Sequence, residues 1–175
     1  MTQRFLITGF PRMRSAWLAA LFSSDLVHCF HDAAHHGSVT GMLNEVVKST
    51  SQIVGLCDPS AACVYPQLAI KLFAESPIVI VRREADDAKQ ALETWAGMEM
   101  KNWHELGANY DWFARSAAHA CWIDYADLDD YFVVSELYRH CTGLLLDKHR
   151  FDLFNTLKIE QHREKAILAS GIPKH

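Results

Sequence analysis

The stretch RFLITGFPRMRSAWLAALFSS, residues 4–24, decides how this chain is read. Phe5, Leu6, Ile7 and Thr8 form a short β-prone run, Gly9 and Pro11 interrupt it, and from Ser15 the apolar residues resume with helical spacing. A strand, a turn and a helix in that order leave the first-turn N–H groups of the helix without intrahelical partners, at the positive end of its dipole. Such a turn attracts oxyanions. Gly9 lets the chain leave the strand and Pro11 stiffens the turn. Arg12 and Arg14 add fixed charge in a planar fork suited to phosphate or sulfate oxygens, and Ser15 adds a hydroxyl donor at the helix start. The plainer alternative is that both arginines are solvated and Ser15 only caps a helix. A Gly-Lys-Ser/Thr ending is absent, so the lysine and hydroxyl that nucleoside-triphosphate loops place on Mg²⁺ and the terminal phosphates are missing.

Working outward, RFLIT, LVHCF, QIVGLC, PIVIVR and ACWIDY read as strands bounded by turn formers or charges, and they alternate with longer helical patterns. This is the signature of an α/β fold with a parallel sheet flanked by helices. RFLIT and PIVIV are apolar on both faces, as central strands of such a sheet are. Asp58 and Pro59 form a helix start, and Pro66 must kink or restart that helix. From Glu84 the pattern Ala88, Leu92, Trp95, Met98 predicts a long amphipathic helix with Trp95 in the core. A further helix follows ACWIDYADL, and the terminal segment FDLFNTLKIEQHREKAILAS is expected to be helical in its second half.

A chain of 175 residues, half of them apolar, is long enough for one well-filled core, so residues 1–175 are read as a single domain. No apolar run is long enough to span a membrane and no signal-peptide shape opens the chain, so a soluble, cytoplasmic protein is expected. The five cysteines are odd in number and lack C-x-x-C spacing, which points to reduced, mostly buried thiols. The net charge of −4 argues against a general nucleic-acid binder. Residues 4–24 nevertheless hold three arginines and no acid before Asp25, and the segment from Lys148 onward is also basic. If both ends meet at one cleft, a small polyanion fits an otherwise acidic protein.

At this point the residues resemble a known family. FLITGFPRMRSAWLAALF is similar to the 5′-phosphosulfate loop of sulfotransferases that use 3′-phosphoadenosine-5′-phosphosulfate, where a strand runs into Pro-Arg/Lys-Ser-Gly-Thr-Thr-Trp/Leu-Leu. Pro11 and Arg12 match, Met13 stands for Ser, Arg14 for Gly, Ser15 for the first Thr and Ala16 for the second. Trp17 falls where many members stack a Trp on adenine. SPIVIVRREADDAKQAL resembles the 3′-phosphate segment, with Arg82 at the Arg position, Asp86 at the acidic one and Gln90 in place of Ser. ACWIDYADLDD and CTGLLLD resemble a late strand, its acidic turn and a helix end. The C-terminal Arg-Lys-Gly segment is absent, with Arg163 and Lys165 a loose substitute. The resemblance implies a P-loop-NTPase-like, sulfotransferase-like fold, a phosphosulfate donor as co-substrate and no metal in the chemistry.

Sulfuryl transfer needs a base for the acceptor and charge stabilisation for the departing phosphate. The resemblance places the base either in HCFHDAAHH or in GLCDPS, which makes His31, Asp32 and Asp58 candidates beside the loop cation Arg12. His31 ranks first because imidazole is a base near neutral pH, and Asp58 has an equal alternative as a helix cap. The cluster of His28, His31, His35, His36 and Asp32 invites a zinc reading, which the uncertain helical spacing does not favour. NWHELGANYDWF, interrupted by Gly107 and Asn109, suggests an aromatic loop near an acceptor pocket. The resulting expectation is transfer of a sulfuryl group to an unspecified hydroxyl or amine, with no nucleic-acid or membrane partner. A binding module that has lost chemistry, and a divergent small-molecule kinase, stay open as alternatives.

Overall fold

The computed structural model describes residues 2–31 and 38–157. Its centre is a five-stranded, all-parallel sheet in the order β2-β3-β1-β4-β5. The strands are β1 (Gln3–Gly9), β2 (Val27–His31), β3 (Ile53–Cys57), β4 (Ile78–Arg82) and β5 (Cys121–Asp124). All five segments read as strands in the sequence are strands. The helices are α1 (Ser15–Phe22), α2 (Val39–Lys48), α3 (Ser60–Cys63), α4 (Pro66–Leu72), α5 (Ala85–Ala96), α6 (Trp103–Ser116), α7 (Tyr131–Thr142) and α8 (Lys148–Thr156), with a 3₁₀ turn at Tyr125–Asp129.

Strand alternation explains the two cores. In β1, Phe5 and Ile7 face one side, where Trp17, Leu18 and Phe22 of α1 pack with α7 and α8, while Leu6 faces the opposite side under α2 to α6. Both faces are covered, which is why the middles of β1 (Phe5–Ile7) and β4 (Ile78–Val81) carry no polar residue. β2 and β3 lie on one side of β1, β4 and β5 on the other. The strand order reverses beside β1, and the crevice beyond the carboxyl ends of the strands is where this architecture binds ligands. Gly9 closes β1 there because a Cβ would meet the carbonyl oxygen of Val81 at 2.5 Å.

Pro66 restarts the chain as anticipated, standing at the start of α4 just after α3 ends. Two expectations need correction. NWHELGANYDWF is not a loop but lies in the continuous helix α6. Burial of Tyr110 and Phe113 against the sheet's α3 side outweighs the roughly 1 kcal/mol that Gly107 costs a helix. The helix after β4 ends at Gly97 in the left-handed conformation, leaving Met98 outside it and Trp95 44 % exposed instead of in the core. In the terminal segment the described helix, α8, falls in the first half, and the second half, with Arg163 and Lys165, lies outside the described residues. Four thiols are buried, whereas Cys121 is exposed. Among the described residues no helix is long and apolar enough to cross a membrane.

Candidate functional site

The carboxyl end of β1 leads through Phe10–Met13 into α1. Arg12 has φ 66° and Arg14 φ 64°, both in the left-handed region that side chains other than glycine seldom occupy. Arg14 stands where the resembled loop has Gly, and it adopts the backbone shape that a glycine would supply. The first intrahelical bond runs from Leu18 N–H to Arg14 O at 2.9 Å. The N–H groups of Ser15, Ala16 and Trp17 precede it and have no acceptor in the helix itself. No side chain caps this end and its first turn contains no acid. Nothing in α1 competes with an incoming anion for its positive pole.

The floor of the turn is tied to β3. Thr8 Oγ1 donates to Asp58 O at 2.9 Å and accepts from Ala62 N–H at 3.2 Å, while Asp58 N–H donates to Ile7 O at 3.1 Å. Asp58 is fully buried: Oδ1 accepts from Ser60 N–H at 2.8 Å and Oδ2 from the Tyr65 hydroxyl at 3.0 Å. Of its two sequence readings, the geometry gives Asp58 that of a cap and brace. Burial, then the neighbouring Asp58 charge and hydrogen bond, push the Tyr65 phenol upward.

The loop side chains diverge. Met13 is fully buried in the core beside α1. The Arg14 guanidinium turns to the 3₁₀ turn and α8, pairing with Asp129 Oδ1 at 2.6 Å and reaching Asn155 Oδ1 at 3.3 Å. It also covers the Trp17 ring at 4.1 Å. Trp17 is 3 % exposed, donates its indole N–H to Phe154 O and meets Phe151 edge-on. The ring expected as an adenine platform is therefore enclosed by protein. Arg12 lies over the Trp95 ring at 5.3 Å. Pro11, Ser15 and Ala16 are half-buried at the turn.

On the other wall, Arg82 is exposed at the end of β4 and forms a bidentate pair with Asp124, Nε to Oδ1 at 2.8 Å and Nη2 to Oδ2 at 3.0 Å. Gln90 is exposed two turns into α5, where its backbone carbonyl accepts from Thr94. The neighbouring Arg83 donates from Nη1 to Arg12 O at 2.8 Å and lies over Tyr125 at 4.6 Å. Only its position after β4 could have signalled this.

His31 ends β2 at the same edge of the sheet, with Nδ1 3.4 Å from Cys57 O. Asp32, His35 and His36 lie outside the described residues. Among the described residues no group of His, Cys, Asp or Glu is arranged to hold a metal ion. Of the lysines and arginines from Lys148 onward, only Lys148 and Arg150 lie among the described residues, and Lys148 pairs with Asp152 within α8. Arg150 instead donates to Ala20 O and Leu21 O at 2.9 Å each and to Ser23 O, closing the carboxyl end of α1.

No family model matches the chain, and no curated protein matches it. Among solved structures, it is similar to a sulfotransferase from Alicyclobacillus acidocaldarius, with TM-score 0.54 and 12 % identity over 99 % of this chain and 93 % of that one. It is also similar to a gluconokinase from Sinorhizobium meliloti 1021, with TM-score 0.48 and 11 % identity over 93 % of this chain and 97 % of that one. At such identities the likeness concerns the fold. The chain has a P-loop-like α/β architecture, with its strand–turn–helix element on the central strand.

Proposed function

We propose that the chain is a sulfotransferase that moves a sulfuryl group from 3′-phosphoadenosine-5′-phosphosulfate to a hydroxyl or amine acceptor. The observation that carries the reading is the β1–α1 turn: an uncapped, acid-free helix start shaped by two left-handed arginines, without the lysine of a triphosphate loop. In this reading the N–H groups of Ser15, Ala16 and Trp17, with Arg12, hold the phosphosulfate. The acceptor loses its proton to a base as its oxygen or nitrogen forms the new bond to sulfur. The sulfur–oxygen bond to the 5′-phosphate breaks, and that phosphate leaves with the electron pair. His31 is the preferred base: it ends β2 at the carboxyl edge of the sheet, and an imidazole accepts a proton near neutral pH. Asp32 is the alternative, and Asp58 recedes because both carboxylate oxygens already accept hydrogen bonds. In this reading the chemistry needs no metal and the protein acts in the cytoplasm.

Calorimetric titration with 3′-phosphoadenosine-5′-phosphate tests this reading. Binding without Mg²⁺ is expected, weakened by about tenfold to a hundredfold in Arg12→Ala, as for loss of a charged hydrogen-bonding group. Binding of ATP only with Mg²⁺ would move the assignment to a kinase. A second reading, a donor-binding module without turnover, draws on the hydroxyl positions of the resembled loop, which Met13 and Ala16 replace here. Donor binding without turnover across a broad acceptor panel would favour it.

A further inference from the structure

We infer that Arg83, and not Arg82, is the oxyanion-holding cation of the β4 wall. This inference rests on reading the β1–α1 turn as an oxyanion site. The two residues are adjacent, Arg82 the last of β4 and Arg83 just beyond it, and their guanidinium groups go to different partners. Arg82 goes outward, 54 % exposed, and its fork is matched on both prongs by the Asp124 carboxylate. Its charge is compensated, and an anion reaching it must first displace that carboxylate.

Arg83 goes toward the loop. One of its five N–H donors goes to the Arg12 carbonyl, and its planar face lies over Tyr125. Among the described residues it has no carboxylate partner. A carbonyl and an aromatic ring orient a guanidinium without neutralising it. The result is a positive charge without a carboxylate partner among the described residues, one hydrogen bond from the left-handed Arg12 in the turn that leads to the uncapped start of α1. Arg83 thereby has two actions on one anion. It holds the Arg12 peptide in its unusual conformation, and it presents its remaining N–H groups to the donor's phosphate or sulfate oxygens.

Charge and tether are separable by substitution. Arg83→Lys keeps the charge, Arg83→Gln keeps a carbonyl-directed N–H without charge, and Arg83→Met keeps neither. Each variant, with wild type and Arg82→Met, is titrated calorimetrically with inorganic pyrophosphate and with 3′-phosphoadenosine-5′-phosphate, and its thermal melt is recorded. Arg83→Met and Arg83→Gln are expected to weaken pyrophosphate binding about tenfold or more, Arg83→Lys about threefold, and Arg82→Met less than Arg83→Met. Wild-type affinity in Arg83→Gln, a change under about twofold in Arg83→Met, or a larger loss in Arg82→Met overturns the inference. Loss of the fold in all three Arg83 variants makes it a structural brace and also overturns it. Wild type that binds pyrophosphate but not the nucleotide removes the sulfotransferase reading and leaves Arg83 judged on pyrophosphate. Wild type that binds neither removes both.

Discussion

Arg14 combines a backbone conformation that suits glycine with a side chain whose charge is used elsewhere. Holding a non-glycine residue at φ 64° costs about 1–2 kcal/mol. Against this stand the Asp129 pair, about 0.2–1 kcal/mol for an exposed pair, and the guanidinium over Trp17, about 0.5–2 kcal/mol. The two sides nearly cancel. Arg14→Gly is therefore expected to change the unfolding free energy by less than about 1 kcal/mol in urea denaturation, since relief of strain offsets the lost contacts. Arg14→Ala keeps the strain and loses the contacts, so a loss of about 1–2 kcal/mol is expected. Neither change should weaken 3′-phosphoadenosine-5′-phosphate binding by more than about threefold, because the guanidinium is directed away to Asp129 and Asn155. A tenfold loss in Arg14→Ala would return this side chain to the anion grip. The basic turn itself is legible in the sequence. The destination of Arg14 is not, because Asp129 lies 115 residues away and nothing local marks it as a partner.

Between β3 and α4 the chain makes a unit in which one carboxylate organises two helix starts. Asp58 accepts from Ser60 N–H at the head of α3 and from the hydroxyl of Tyr65, the residue before α4. Thr8 joins the same turn to β1. Asp58→Ala strands a part-buried N–H and a buried hydroxyl at once, and a loss of about 2–4 kcal/mol is expected in urea denaturation. A loss below about 1 kcal/mol would mean that water or a shifted Tyr65 replaces the carboxylate. At this scale the sequence is informative where local chemistry decides. The five strands follow from β-branched apolar runs, and the break between α3 and α4 follows from Pro66. It is uninformative where tertiary packing decides. Gly107 suggests a break, yet Tyr110, stacked on Phe10 at 4.1 Å, and Phe113 hold α6 together. Trp95 has helical core spacing, yet it sits beside Arg12 at the surface.

Across the whole molecule, the buried thiols and phenols set a ceiling on alkaline stability. Burial, aided by the nearby Asp58 charge, pushes the Cys63 thiol from an ordinary 9.0 to about 12. Burial, with Cys63 and Asp111 adding and Arg82 opposing, takes the Tyr110 phenol from 10.0 to about 12. Burial also drives Cys29, Cys57 and Cys141 upward. All these groups have folded-state values above their unfolded ones. Above about pH 9 the unfolded chain therefore releases protons that the folded chain keeps, and stability falls as pH rises. Each fully buried thiol steepens that fall by about 1.4 kcal/mol per pH unit once the pH is well above its unfolded value. The urea midpoint should hold steady between about pH 7 and 8 and then drop progressively as pH rises toward 12, where Cys63 and Tyr110 begin to ionise in the folded protein. Cys63→Ser, whose hydroxyl does not titrate in this range, should lower the alkaline slope by about one proton's worth. A midpoint that stays level to about pH 10.5, or a slope unchanged in Cys63→Ser, would mean that these thiols reach water in the folded protein and that the floor beneath the β1–α1 turn is open.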